Sequence, residues 1–115
     1  MPRKDDALLL DMLIACRKLI RFTQDLAKDD FLSDDLVQSA TLREFQVLGE
    51  ASRMISDESK SKYQQIPWKV ISGLRNRIIH EYFNVDLNIL WETIQTNIPE
   101  LLSQLNAILP DNEDL

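Results

Sequence analysis

Residues 75–82 hold the chain's only histidine among two arginines, an asparagine and a tyrosine. An imidazole titrates near neutrality and can give or take a proton. A guanidinium presents a planar, permanently charged fork to phosphate oxygens. Together they suit acid–base chemistry at a phosphate. Asn76 and His80 are four apart and share one helical face, where the amide can orient the ring. Arg77, three before His80, lies on its other flank, within reach of the same phosphate. Arg75 is five residues from His80, about 140° around a regular helix. It meets His80 only if its side chain curls round, the helix distorts, or a second chain supplies one of the pair. Tyr82 points away from His80 unless the helix unwinds at Glu81.

Four helices are expected to position these groups. The first spans about residues 6–28, with Asp5 or Asp6 as cap and Leu9, Met12, Cys16, Leu19, Ile20, Thr23 and Leu26 as its buried stripe. The second, residues 34–56, opens on Ser33-Asp34-Asp35, acidic groups that the helix dipole favours there. Its stripe includes Val37, Ala40, Glu44, Val47, Leu48, Ala51, Met54 and Ile55, while Leu42 and Phe45 fall on another face, so the helix should have two neighbours. Gly49 costs up to about 1 kcal/mol in a helix relative to alanine, which predicts close backbone approach at that level. Glu50 beside it is either an exposed residue or a carboxylate at a tight crossing. The third helix, 67–80, begins at Pro67 and carries Val70 or Ile71, Leu74 and Ile78 inward. Asn84-Val85-Asp86 is a turn and cap. The fourth helix, 86–109, has a long apolar stripe that Pro99 should kink, and the tail after Pro110 should fray.

Composition agrees with an all-α fold in one domain, residues 1–115. Glycine and proline number two and four, too few for a sandwich or barrel. The single Cys16 rules out an internal disulfide framework or a cysteine-rich metal site and suits a cytoplasmic setting. Asp11 breaks the apolar run at residues 7–10 before it could form a signal core, and no segment is long enough to span a membrane. The net charge of −6 speaks against nonspecific nucleic-acid binding. Yet between residues 53 and 77 the cations are Arg53, Lys60, Lys62, Lys69, Arg75 and Arg77, against Asp57 and Glu58 only. Such a patch can hold a short phosphodiester locally, or it is simply a solvated helix face.

The pattern Arg75-Asn76-x-x-x-His80-x-Tyr82 resembles the Arg-x4-His-x-Tyr motif of the HepT-like branch of the HEPN superfamily. Gly49-Glu50-Ala51 resembles that branch's Gly-Glu-Ala, and Phe83-x-x-Asp86 its continuation into the last helix. The likeness runs from the opening helix to Leu109. It implies a homodimeric four-helix bundle of HEPN type and a toxin of a type II toxin–antitoxin pair. It also implies an endoribonuclease needing neither metal nor cofactor, with Arg75 and His80 as the catalytic pair. Its partner would be an MntA-type nucleotidyltransferase antitoxin that attaches AMP to Tyr82.

The residues suit that chemistry. Cutting RNA without a metal takes a base for the 2′-hydroxyl, an acid for the leaving 5′-oxygen, and cations for the phosphorane. Asn76 would fix the imidazole tautomer, with Arg77 and Glu50 supporting. One histidine per chain cannot easily be acid and base at once, so the site is expected to straddle a dimer interface. The competing expectation is a non-catalytic HEPN module that partners a nucleotidyltransferase and binds nucleotide or substrate.

Overall fold

Leu9, Met12, Leu13, Cys16 and Leu19 recur every three or four residues and form the fully buried stripe of α1 (Arg3–Thr23). The computed structural model describes residues 3–109, and the expectation for the tail after Pro110 lies outside them. The other long helices are α3 (Asp35–Met54), α5 (Trp68–His80) and α6 (Leu87–Ile108). Two short helices join them, α2 (Lys28–Leu32) and α4 (Asp57–Lys62), and a 3₁₀ turn spans Tyr82–Asn84. No strand occurs among the described residues. The architecture is an all-α bundle of four long helices.

α1 is shorter than its periodicity suggests. It stops at Thr23, where the side-chain hydroxyl donates to the Leu19 carbonyl at 2.9 Å, and the chain turns at Gln24 and Asp25. Asp29 and Asp30 then open α2 instead of burdening the end of α1, so their charges meet a helix N-terminus. α2 delivers one fully buried residue, Phe31, whose ring lies 5.4 Å from that of Trp91 on α6. α3 starts as expected, with the Asp34 carboxylate accepting from the Val37 N–H at 3.1 Å. It packs against α1 on one side and α5 on the other, which explains its two apolar faces. Leu42 and Phe45 join Leu48 and Ala51 in the core, whereas Met54 is exposed.

On α5 the inward residues are Ile71 and Ile78, with Leu74 half-buried; Val70 points outward. α6 runs unbroken through Pro99 and buries Leu90, Trp91, Ile94, Ile98, Leu101 and Leu105 against α1. Cys16 is wholly buried, and burial pushes its thiol up to about 12, so it packs as a small apolar side chain.

Neither Asp5 nor Asp6 caps α1, whose first turn holds both; Asp5 instead supports Ser56, the N-cap of α4. Its buried carboxylate accepts from the Ser56 N–H (3.1 Å), the Ser56 hydroxyl (2.5 Å) and the Ser59 hydroxyl (2.6 Å). The start of α1 is thereby tied to the N-terminus of α4. These donors, Ser56 first, hold the Asp5 carboxyl below the usual aspartate value of 3.8. A depressed folded-state pKa gives stability that is present above the unfolded value and lost as pH falls through the folded one. Asp5→Ala is expected to cost about 2 kcal/mol, the scale for removing a hydrogen-bonded buried partner, and to flatten stability below pH 3.8. Urea unfolding across that range checks both; an unchanged acid limb would contradict the assignment.

Candidate active site

The Gly49-Glu50-Ala51 triplet and Arg75 form one unit. A Cβ added to Gly49 would sit 2.5 Å from the Arg75 Cβ and 2.7 Å from its Cγ. Those atoms belong to the root of the side chain and cannot swing aside, so only glycine lets α5 lie this close to α3. The next residue then captures what the glycine admits. The Glu50 carboxylate accepts from Arg75 Nε at 2.7 Å, and a second guanidinium nitrogen lies 2.7 Å from the same oxygen. Its other oxygen takes Arg53 at 2.9 Å. The two arginines, Arg53 most strongly, hold the Glu50 carboxyl below its ordinary range. Ala51 is buried in the core and anchors the turn.

Glu50 is therefore half-exposed and also at the crossing: one carboxylate between two guanidiniums, leaving one positive charge in surplus. Arg75 carries five N–H donors. Besides its contacts to Glu50, it donates to the Asn76 amide oxygen at 3.2 Å, which leaves donors for an incoming anion. Gly49→Ala is expected to cost about 1–3 kcal/mol through overpacking and to displace Arg75, lowering any activity that depends on it. Thermal melting beside an activity assay checks this; an unperturbed, fully active variant contradicts it.

The other groups sit apart from this unit. α5 stays regular through His80, and the Glu81 N–H still bonds the Arg77 carbonyl at 2.8 Å. Of the three routes by which Arg75 could meet His80, distortion of the helix is thus not the one taken. His80 is exposed at the last residue of α5, and its side chain makes no hydrogen bond among the described residues. The expected amide–imidazole contact is absent, because Asn76 turns its oxygen to the neighbouring cation. Arg77 lies on a different flank, 3.5 Å from Glu81 in an exposed pair, and lines a small cleft with Val85 and Ile89. Such a pair holds its arginine weakly.

The helix ends where Tyr82 needs it to. Glu81 closes α5 with φ −121° and ψ 30°, and Tyr82 enters the 3₁₀ turn 42% exposed. Its ring centre lies 5.5 Å from that of Phe83, and Phe83 is 98% exposed. Asp86 then caps α6, accepting from the Asn88 N–H at 2.9 Å. Among the described residues, no three His, Cys, Asp or Glu side chains are placed to hold a metal ion. No helix there is long and apolar enough to cross a membrane.

The sequence matches the family described as ribonuclease HepT-like over residues 12–108. The chain belongs to the HepT-like ribonuclease family. Its relatives agree. A Methanocaldococcus jannaschii protein provisionally named an RNase is 36% identical, over 98% of this chain and 94% of the relative. A second, from Caldanaerobacter subterraneus, is 39% identical over 85% of this chain and 88% of its own length. The "Probable ribonuclease HepT" of Thermococcus cleftensis is 36% identical over 94% and 98%. No solved structure matches the chain significantly. The HepT-like, HEPN-type assignment suits the all-α bundle, with the Gly-Glu-Ala triplet and the arginine of the His80 segment meeting at one helix crossing.

Proposed function

We propose that the chain is a metal-independent endoribonuclease, the toxin of a type II toxin–antitoxin pair. The observation that supports the reading is Arg75 fixed by Gly49 and Glu50 in the middle of α5, with His80 exposed on another flank at the C-terminal end of the same helix. In this reading Arg75 stabilises the charged phosphorane and His80 moves the proton. Both belong to a substrate groove completed by a second copy of the chain. The two-fold axis passes near the C-terminal end of α5, where the bare Phe83 ring and exposed Ile79 offer apolar surface to bury. The partner's His80 then faces this chain's Arg75, so each site takes its histidine from one chain and its arginine from the other.

The test is cleavage of single-stranded RNA in excess chelator, beside the same oligonucleotide with one 2′-deoxy position. Cutting everywhere except at the deoxy position supports attack by the 2′-hydroxyl. Cutting of the deoxy site, or a strict need for a divalent ion, overturns the reading.

Silencing follows from Tyr82. An AMP group joined to its exposed hydroxyl adds negative charge and bulk at the edge of the phosphate site and competes with RNA. Tyr82→Phe is expected to leave RNA cleavage within about twofold, as for surface changes that remove no partner, and to escape silencing by an MntA-type nucleotidyltransferase with ATP. Intact-mass analysis and cleavage after incubation read both effects. A Tyr82→Phe protein still modified and silenced shows that the acceptor lies elsewhere.

A further inference from the structure

A second surface of α5, which shares Asn76 with the Arg75 unit above, is built for a polyanion. An open groove of about 740 Å³, lined in part by Lys60, Gln64, Trp68, Lys69, Gly73 and Asn76, runs between the α4 end and the outer face of α5. That volume falls in the range of ligand clefts, about 300–1,000 Å³. Among the described residues no carboxylate lines it, although the chain has 19 acidic residues against 13 basic ones. The Lys60 ammonium lies 5.9 Å from the centre of the Trp68 ring, whose indole N–H is fixed by the Tyr63 carbonyl at 3.1 Å. Lys69 opens the outer stripe of α5. From Lys69 through Gly73 and Asn76 to His80, all four residues are exposed and fall within about 60° around a regular helix. The stripe is about 16 Å long at 1.5 Å per residue.

Among the described residues nothing requires glycine at position 73. A Cβ there would meet nothing within 4 Å, and the position is an exposed helix interior, where glycine is a poor helix former. It does leave the groove floor bare, so that a ligand backbone can lie against the helix.

We infer that this groove carries the single-stranded RNA flanking the scissile phosphate. Lys60 and Lys69 hold its phosphates, Trp68 offers an apolar wall to a base, and Gly73 gives clearance on the way to His80. The inference rests on the ribonuclease reading and extends it to a substrate track. Strands held without base-edge readout are gripped by such cationic, aromatic-lined channels.

The experiment compares wild type, the double variant Lys60→Gln/Lys69→Gln, and Gly73→Leu. The probes are an uncleavable 2′-O-methyl oligouridylate of about a dozen nucleotides for binding, and an RNA dinucleotide and a long RNA for cleavage. Binding is read by fluorescence anisotropy across salt. The double variant is expected to bind about tenfold more weakly, with a salt slope shallower by about 1.4, two single-strand phosphate contacts at about 0.7 each. It should cut the dinucleotide like wild type and lose only its advantage on long RNA. Leucine forms helix better than glycine, so Gly73→Leu stays folded, which circular dichroism verifies, yet blocks the track and repeats the long-RNA defect. If both variants bind and cut the long RNA as wild type does, the groove is overturned while the ribonuclease reading stands. If wild type cuts neither substrate, that reading fails, and the binding arm decides the groove on its own: a wild type that does not bind the oligouridylate overturns it.

Discussion

His80→Ala is expected to lower the cleavage of single-stranded RNA by about three orders of magnitude, within the range for removing a general acid or base. The loss should come with almost no loss of fold. His80 is exposed and ends its helix, and its side chain makes no hydrogen bond among the described residues, so its removal strands no partner. Surface changes of that kind stay within about 0.5 kcal/mol. An unchanged melting curve beside a vanished activity would separate chemistry from stability. A His80→Ala protein that cuts at the wild-type rate would remove the histidine from the mechanism and favour a non-catalytic binding module.

The second large effect is at Arg75. Arg75→Ala removes the guanidinium held by Glu50 and Asn76, and the expected fall in cleavage is about 10²–10³-fold, the scale for losing one charged transition-state donor. This variant also disturbs structure, because the Arg75 stem fills the space that Gly49 leaves open. Arg75→Lys separates the two contributions. Lysine restores much of the stem and the charge, but not the planar fork that meets Glu50 through two nitrogens. The fold should return toward wild-type stability while activity stays low. Full activity in Arg75→Lys would mean that a point charge suffices and that the precise seating by Glu50 is irrelevant.

Much of this arrangement was legible in the sequence because it rests on periodicity. The stripes of α1, α5 and α6 and the caps at Asp34 and Asp86 follow from local spacing and helix-end chemistry, and both are short-range. Gly49 was readable as a close approach, since a mid-helix glycine needs a reason; that the approaching group is the root of Arg75 was not. α4, with the sequence Asp-Glu-Ser-Lys-Ser-Lys, has no apolar residue to signal it. Only its caps could have done so: Ser56 accepts from the Ser59 N–H, and the Asp5 that supports it lies 51 residues away. α2 is five residues long, too short for a rhythm, and hides one buried Phe31. The expected pairing of Asn76 with His80 failed for a different reason. Spacing made both the ring and the Arg75 guanidinium available to the amide oxygen, and the charged donor next door took it. The 140° between Arg75 and His80, by contrast, persists in the regular α5, so one chain leaves the two on separate flanks.

That separation points to the decisive measurement: subunit complementation between Arg75→Ala and His80→Ala. Each homodimer alone should be nearly inactive. Mixed and exchanged, with heterodimers counted by native mass spectrometry, they form one intact site per heterodimer, from the His80 of one chain and the Arg75 of the other. Activity is predicted to reappear in proportion to the heterodimer. Heterodimers that form and remain inactive, or a strictly monomeric variant that cuts RNA at the full rate, would contradict a site shared between two chains.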